Sequence, residues 1–316
     1  MPQLINYPHV AAQVFDVPLY ATRTALDAVK SVLVPRLMGR SSTLELPQTF
    51  ASAAPEVQAS SGQGRVEQFD GMHIVGKIAV VKVHGLLVAR RGHITQACTE
   101  LMSYELIRRN IAMALTHDLV EEIVLDLNSG GGMAVGCKEL ADYIYQARQQ
   151  KPITAIVNFY AYSACYFVAA ACSRIVVSTT SGVGSIGVLL EHMELSRWEQ
   201  EVGLTFTTFF RGERKNDGSP HEPLTEGATV AINQRLDEAY QLFTESVAEY
   251  RGLKVQAVID TQASLMSASE AIAAGFADEL MSPDQAINAI ASKYQTPPPR
   301  RSIQARAAAI DLSCKL

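Results

Sequence analysis

Ser163 and Lys215 are the residues whose types and setting could do covalent chemistry. The serine lies in a long uncharged segment, and the lysine follows in Arg211-Gly212-Glu213-Arg214-Lys215-Asn216-Asp217-Gly218-Ser219-Pro220. A serine hydroxyl attacks a carbonyl at neutral pH only when a neighbour takes its proton. Lysine can do this in its neutral form, which removal from water favours by pulling its pKa down from ~10.4. From Pro152 to Ser173 there is no ionisable group except tyrosine and cysteine. A lysine inserted against that segment would be strongly desolvated.

Two glycine-rich segments accompany the pair. Asn128-Ser129-Gly130-Gly131-Gly132 follows an apolar strand pattern, and its backbone N–H groups could bind an anion. The phosphate-binding patterns Gly-x-Gly-x-x-Gly and Gly-Lys-Ser/Thr are absent, so an oxyanion hole for acyl transfer fits better. A tight strand-to-helix turn without ligand is the alternative. Ser181-Gly182-Val183-Gly184-Ser185-Ile186-Gly187-Val188 reads as a loop joining strands, in which Ser185 could orient the lysine amine.

Histidine chemistry is the competing base. The seven histidines form no His-Glu-x-x-His spacing, but the members of a serine–histidine–acid triad can lie far apart in a chain. His192 and His221 are the bases to compare with Lys215. The five cysteines are odd in number and lack Cys-x-x-Cys, which indicates neither a disulfide framework nor a zinc site and fits a reducing compartment. Cys165 and Cys172 read as small core residues.

The elements that must position these groups follow from the wider pattern. The 316 residues are 48% hydrophobic, enough for a sizeable core, and carry a formal charge of −5. No basic footprint for nucleic acid is present. The amino terminus lacks the pattern of a secretory signal. Pro152 to Ser173 is long enough to cross a bilayer, but β-branched Ile153 to Val157 followed by small residues from Ser163 to Ala171 reads as a buried strand feeding a core helix. No membrane span is expected. Strands are also expected at Lys77 to His84, Glu122 to Asn128 and Arg174 to Val177. Helices are expected at Tyr20 to Leu33, Met133 to Gln149, Glu194 to Val202 and Thr225 to Tyr250. Alternating strand and helix signals define an α/β fold with a mainly parallel sheet and crossover helices. The organisation reads as an amino-terminal arm or subdomain over 1–40, a Ser/Ala/Gln/Pro/Gly linker over 41–65, a main domain over 66–290 and a proline-containing tail over 291–316.

Together these segments resemble the signal peptide peptidase A family, and within it the bacteriophage prohead or head-maturation proteases. Asn128-Ser-Gly-Gly-Gly132 looks like the family's Asn-Ser-Pro-Gly-Gly turn, with Gly130 in place of proline. Gly184-Ser-Ile-Gly-Val188 matches a family motif, Lys215-Asn-Asp-Gly-Ser-Pro220 resembles the segment bearing the catalytic lysine, and Ala271-Ile-Ala-Ala-Gly-Phe-Ala-Asp278 a later one. A glycine often found two residues after the nucleophile is replaced by Cys165. The opening Pro8-His-Val-Ala-Ala-Gln-Val-Phe-Asp-Val-Pro-Leu19 resembles the phage branch.

The resemblance implies a Clp-protease and crotonase type of fold. It implies Ser163 as nucleophile, Lys215 as general base and then acid, Ser185 as the lysine's partner, and an oxyanion hole from Gly131 or Gly132 with Ala164. It implies peptide hydrolysis through an acyl-enzyme with no cofactor or metal, by a homo-oligomer inside an assembling procapsid in the host cytoplasm. Scaffold and capsid proteins would be the substrates, with this chain itself a further candidate. The rival readings are a cellular peptidase that degrades signal peptides, a catalytically silent scaffolding protein of the same fold, and a crotonase-type acyl-CoA enzyme.

Overall fold

The computed structural model describes residues 14–37, 66–90 and 101–294. The expected linker over 41–65 and all but the start of the tail over 291–316 lie outside the described residues. In chain order the elements begin with β1 (Leu19–Ala21), α1 (Arg23–Leu37), β2 (Val66–Phe69), β3 (Met72–Val75), β4 (Ile78–His84), β5 (Leu86–Val88), β6 (Leu101–Ser103) and α2 (Tyr104–Thr116). They continue with β7 (Glu122–Ser129), β8 (Gly131–Met133), α3 (Cys137–Ala147), β9 (Ile153–Tyr162), α4 (Ala164–Ala170), β10 (Arg174–Val177) and β11 (Gly182–Gly184). The last are α5 (Ser196–Glu201), α6 (Glu226–Arg251), α7 (Val255–Ile259), β12 (Leu265–Ser267), α8 (Ala268–Ala273), β13 (Glu279–Leu280) and α9 (Pro283–Lys293).

Parallel strands β4, β7 and β9 form the centre of the larger sheet. They are almost continuously apolar because both of their faces are covered. Leu125, Leu127, Ala155 and Val157 face the main core, while Val124 and Ile156 face the opposite side, where Ile287 and Ile290 of α9 cover them. The β2–β3–β4 meander extends the sheet antiparallel. Strand β9 pairs with β10 along its first half and with β11 along its second. The α/β architecture with a mainly parallel sheet and crossover helices is as read from the sequence.

A small second sheet, in the order β1-β8-β5-β6, stands over the carboxyl ends of the central strands. Here the structure departs from the expected helices. Tyr20 belongs to a strand, because Leu19–Ala21 pairs antiparallel with Gly131–Met133, and the helix starts only at Arg23. The helix expected from Met133 begins at Cys137 for the same reason: Met133 is taken up in β8.

Helix α4 is buried at every residue, packed against α3, α6 and the strands. Seven residues rise only about 10 Å, well short of a bilayer. No described helix is long and apolar enough to cross a membrane. Phe167 of α4 stacks on Phe243 of α6 with ring centroids 4.5 Å apart. Helix α6 is capped by the Thr225 side chain, which accepts from the Ala228 N–H at 3.0 Å, and ends at Gly252 in the left-handed region. Its carboxyl half is built into the core, whereas its amino half presents only Ala228 inward.

Candidate active site

Ser163 occupies the turn from β9 to α4, with φ 56° and ψ −120°, a conformation a non-glycine residue holds only under the constraint of its surroundings. Two backbone bonds impose it: the Ser163 N–H donates to the Gly184 carbonyl at 2.8 Å, and its carbonyl accepts from the Phe167 N–H at 2.9 Å. The residue is 0% exposed, and its Oγ has no hydrogen-bond partner. A buried hydroxyl without a partner costs free energy, so this site is built for something other than stability.

The glycine turn stands directly against this serine. A Cβ on Gly131, which has φ 101°, would lie 3.0 Å from Ser163 Cβ and 3.1 Å from the Ala164 amide nitrogen, and would overlap the Tyr20 carbonyl oxygen. A Cβ on Gly132 would overlap the Leu87 carbonyl oxygen. The close approach of three backbones requires glycine at both positions. The two candidate oxyanion donors in this turn differ. The Gly131 N–H is already taken, donating to Ser129 Oγ at 3.0 Å, and Ser129 Oγ itself donates to the Gly85 carbonyl at 2.5 Å. The Gly132 N–H points toward β1. Thr22 N–H to Gly130 O and Ala134 N–H to Pro18 O bracket it, and in an antiparallel ladder this makes Tyr20 and Gly132 the bonded pair between them.

Ser129 is the functional candidate that sequence reasoning missed. Its only sequence signal was its place before three glycines. Ser129→Ala should leave the fold intact and lower kcat about 10- to 100-fold, because the turn that aims the Gly132 amide loses its side-chain anchor. Peptidase kinetics alongside circular dichroism would check this, and unchanged kcat would reduce Ser129 to a packing residue.

Ser185 is brought close to Ser163. It follows Gly184, whose carbonyl holds the Ser163 N–H; it has φ 56°, is partly buried, and its own N–H donates to the Ser264 carbonyl at 2.9 Å. Lys215 is not brought to Ser163 in the single chain. It is exposed, in a run of turns where its N–H donates to the Gly212 carbonyl, and the desolvation expected of it is not present there. Around it the ribbon from Val202 to Leu224 exposes Leu204, Phe206, Phe210 and, at 89%, Phe209.

Neither histidine touches Ser163. His192 Nδ1 pairs with Asp16 Oδ1 at 2.8 Å, and His221 Nδ1 with Glu199 Oε1 at 2.7 Å, with Phe206 stacked on the His221 ring. Cys137, Cys165 and Cys172 are buried free thiols. Burial raises all three, Cys172 up to about 12, so they pack and do not react. Among the described residues no group of three or more His, Cys, Asp or Glu side chains could hold a metal ion.

A serine held in a strained strand-to-helix turn, with the next backbone amide and a glycine turn facing it, is the arrangement of enzymes that transfer acyl groups through serine. Residues 145–296 match the family model Peptidase family S49. The chain is 34% identical over 290 residues to the Head-tail preconnector protein GP5 of Enterobacteria phage P21, an alignment covering 91% of this chain and 58% of that protein. It is 32% identical over 289 residues to the Capsid assembly protease C of Escherichia phage lambda, covering 90% and 65%. It thus spans less than two thirds of the length of these relatives. A solved structure of a ClpP1 mutant from Listeria monocytogenes is similar with a TM-score of 0.38 and 11% identity, over 58% of this chain and 86% of that one.

Proposed function

We propose that the chain is a serine endopeptidase in which Ser163 is the nucleophile and Lys215 the base. The observation that carries this reading is the buried, unpartnered Oγ of Ser163 at a strained turn, beside the Ala164 amide and the Gly131-Gly132 turn. Attack of Oγ on a peptide carbonyl would place the oxyanion at the Gly132 and Ala164 N–H groups. The proton passes from Ser163 to the Lys215 amine and then to the leaving amine; water then hydrolyses the acyl-enzyme by the reverse path. Ser185, next to the nucleophile, would orient the lysine.

Lys215 must leave water to act. The ribbon around it exposes Leu204, Phe206, Phe209 and Phe210, and α6 exposes Val230 in its amino half; grouped exposed apolar side chains of this kind mark interaction surfaces. Association of copies through this ribbon would bury Lys215 and complete the site. The names of the two phage relatives, with the family match, support substrates among the scaffold and capsid proteins of an assembling head. The test is incubation with the co-assembling shell proteins, followed by mass spectrometry of new termini and light scattering of the active species. Specific cuts made by an oligomer support the reading. Intact shell proteins, or full activity in a strict monomer, refute the corresponding part.

A further inference from the structure

Resting on the peptidase reading, we propose that residues 17–21 occupy the place of the substrate, with Tyr20 seated as the residue before the cut bond. The site would therefore take extended peptides with an aromatic side chain at that position, and the arm would compete with them.

Three observations place the arm there. First, it lies as an extended strand between two backbones that flank the nucleophile. On one side Leu19–Ala21 pairs with Gly131–Met133; on the other, the Leu19 N–H donates to the Leu189 carbonyl at 2.8 Å and the Leu189 N–H to the Leu19 carbonyl at 3.0 Å. Addition of a strand to exposed backbone edges is how proteins take up peptides without regard to most of their side chains. Second, the register puts one particular carbonyl at the reacting centre. The Tyr20 oxygen shares the space in front of Gly131 with Ser163 Cβ and the Ala164 amide, and faces the Gly132 N–H. These are the atoms from which a nucleophile and an oxyanion hole would be made, and the covered serine is 0% exposed. Third, the Tyr20 side chain fills a made-to-measure recess. It is 1% exposed, its ring lies 4.6 Å from that of Phe243 and 5.9 Å from that of Phe167, and its hydroxyl donates to the Ala239 carbonyl at 2.7 Å. Phe167 stands four residues after the nucleophile, so the recess is part of the same turn.

The arm is latched by ionic contacts outside the reacting centre. Glu191 pairs with Arg23 at 2.5 Å and with Lys30 at 2.6 Å, both on α1, and His192 pairs with Asp16. Such contacts near the surface are weak enough to open.

The test uses the full chain and fluorogenic peptides acetyl-Val-Pro-Leu-Tyr-aminomethylcoumarin and acetyl-Val-Pro-Leu-Ala-aminomethylcoumarin. The tyrosyl peptide should be cleaved with kcat/KM about tenfold or more above the alanyl one, as expected for filling a pocket with matched apolar and hydroxyl contacts. Glu191→Gln removes the latch without touching the nucleophile or the glycine turn. It should lower KM roughly threefold with kcat unchanged, because a competing strand leaves more often. A purely structural role for Glu191 would lower kcat or stability and leave KM where it was. Equal cleavage of the two peptides, or an unchanged or raised KM in Glu191→Gln, overturns the inference while leaving the peptidase standing. Hydrolysis of neither peptide by either form refutes the peptidase reading itself.

Discussion

Ser163→Ala is expected to abolish peptide hydrolysis, by about 10⁴-fold or more, and to leave the protein as stable as before or more so. The loss follows from removal of the atom that forms the acyl-enzyme; what survives in such variants is the stabilisation given by the oxyanion donors and by binding. The stability effect has the opposite sign from most core substitutions. Ser163 Oγ is buried without a partner, so deleting it removes an uncompensated desolvation cost and opens little space. Kinetics with purified variant and a thermal melt check both halves. A dead enzyme with an equal or higher Tm is the signature of a functional hydroxyl. Retained cleavage would end the assignment, and a lower Tm would assign the hydroxyl to the fold.

Lys215→Arg is expected to be inactive, by about 10³-fold or more, although the positive charge is kept. A guanidinium does not give up its proton in a protein, so it cannot serve as the base, and general-base contributions are of this size. The informative comparison is with His192→Ala and His221→Ala on one peptide. Both histidines have carboxylate partners, Asp16 and Glu199, of the kind that orients a catalytic imidazole. Yet both lie away from Ser163 Oγ, which has no hydrogen-bond partner. An active arginine variant together with an inactive histidine variant would reverse the roles of base and bystander.

The central strands were legible because their burial on both faces forces β-branched runs, and Arg174–Val177 falls where the sequence puts it. The short strands were not. Leu19–Ala21 and Gly131–Met133 are three residues each, too short for a period, and what makes them strands is their pairing with each other across more than a hundred residues of chain, together with Leu189 beside the first and Leu87 beside the second. Without that partner, Tyr20 reads as the start of the helix that really begins at Arg23. The serine, the glycine turn and Ser185 were legible as a set because each lies at a strand end, where the backbone needs glycine or a left-handed residue. Gly131, Ser163, Gly184 and Ser185 all have positive φ. Ser129 was hidden because a side chain that anchors a turn looks like any other serine beside glycine. The environment of Lys215 was hidden for a different reason. Most of the uncharged segment that should desolvate it, α4 and the first half of β9, is consumed inside the core, while the lysine's own ribbon remains on the surface of the single chain.

Prolonged treatment of the full chain with a fluorophosphonate, followed by peptide mass mapping, asks most directly whether Ser163 is an activated nucleophile. A phosphonyl adduct confined to the peptide that carries Ser163, lost in Ser163→Ala and nearly lost in Lys215→Arg, is the expected result. A chain that hydrolyses peptides while Ser163 stays unmodified, or that carries the adduct on another residue, would contradict it.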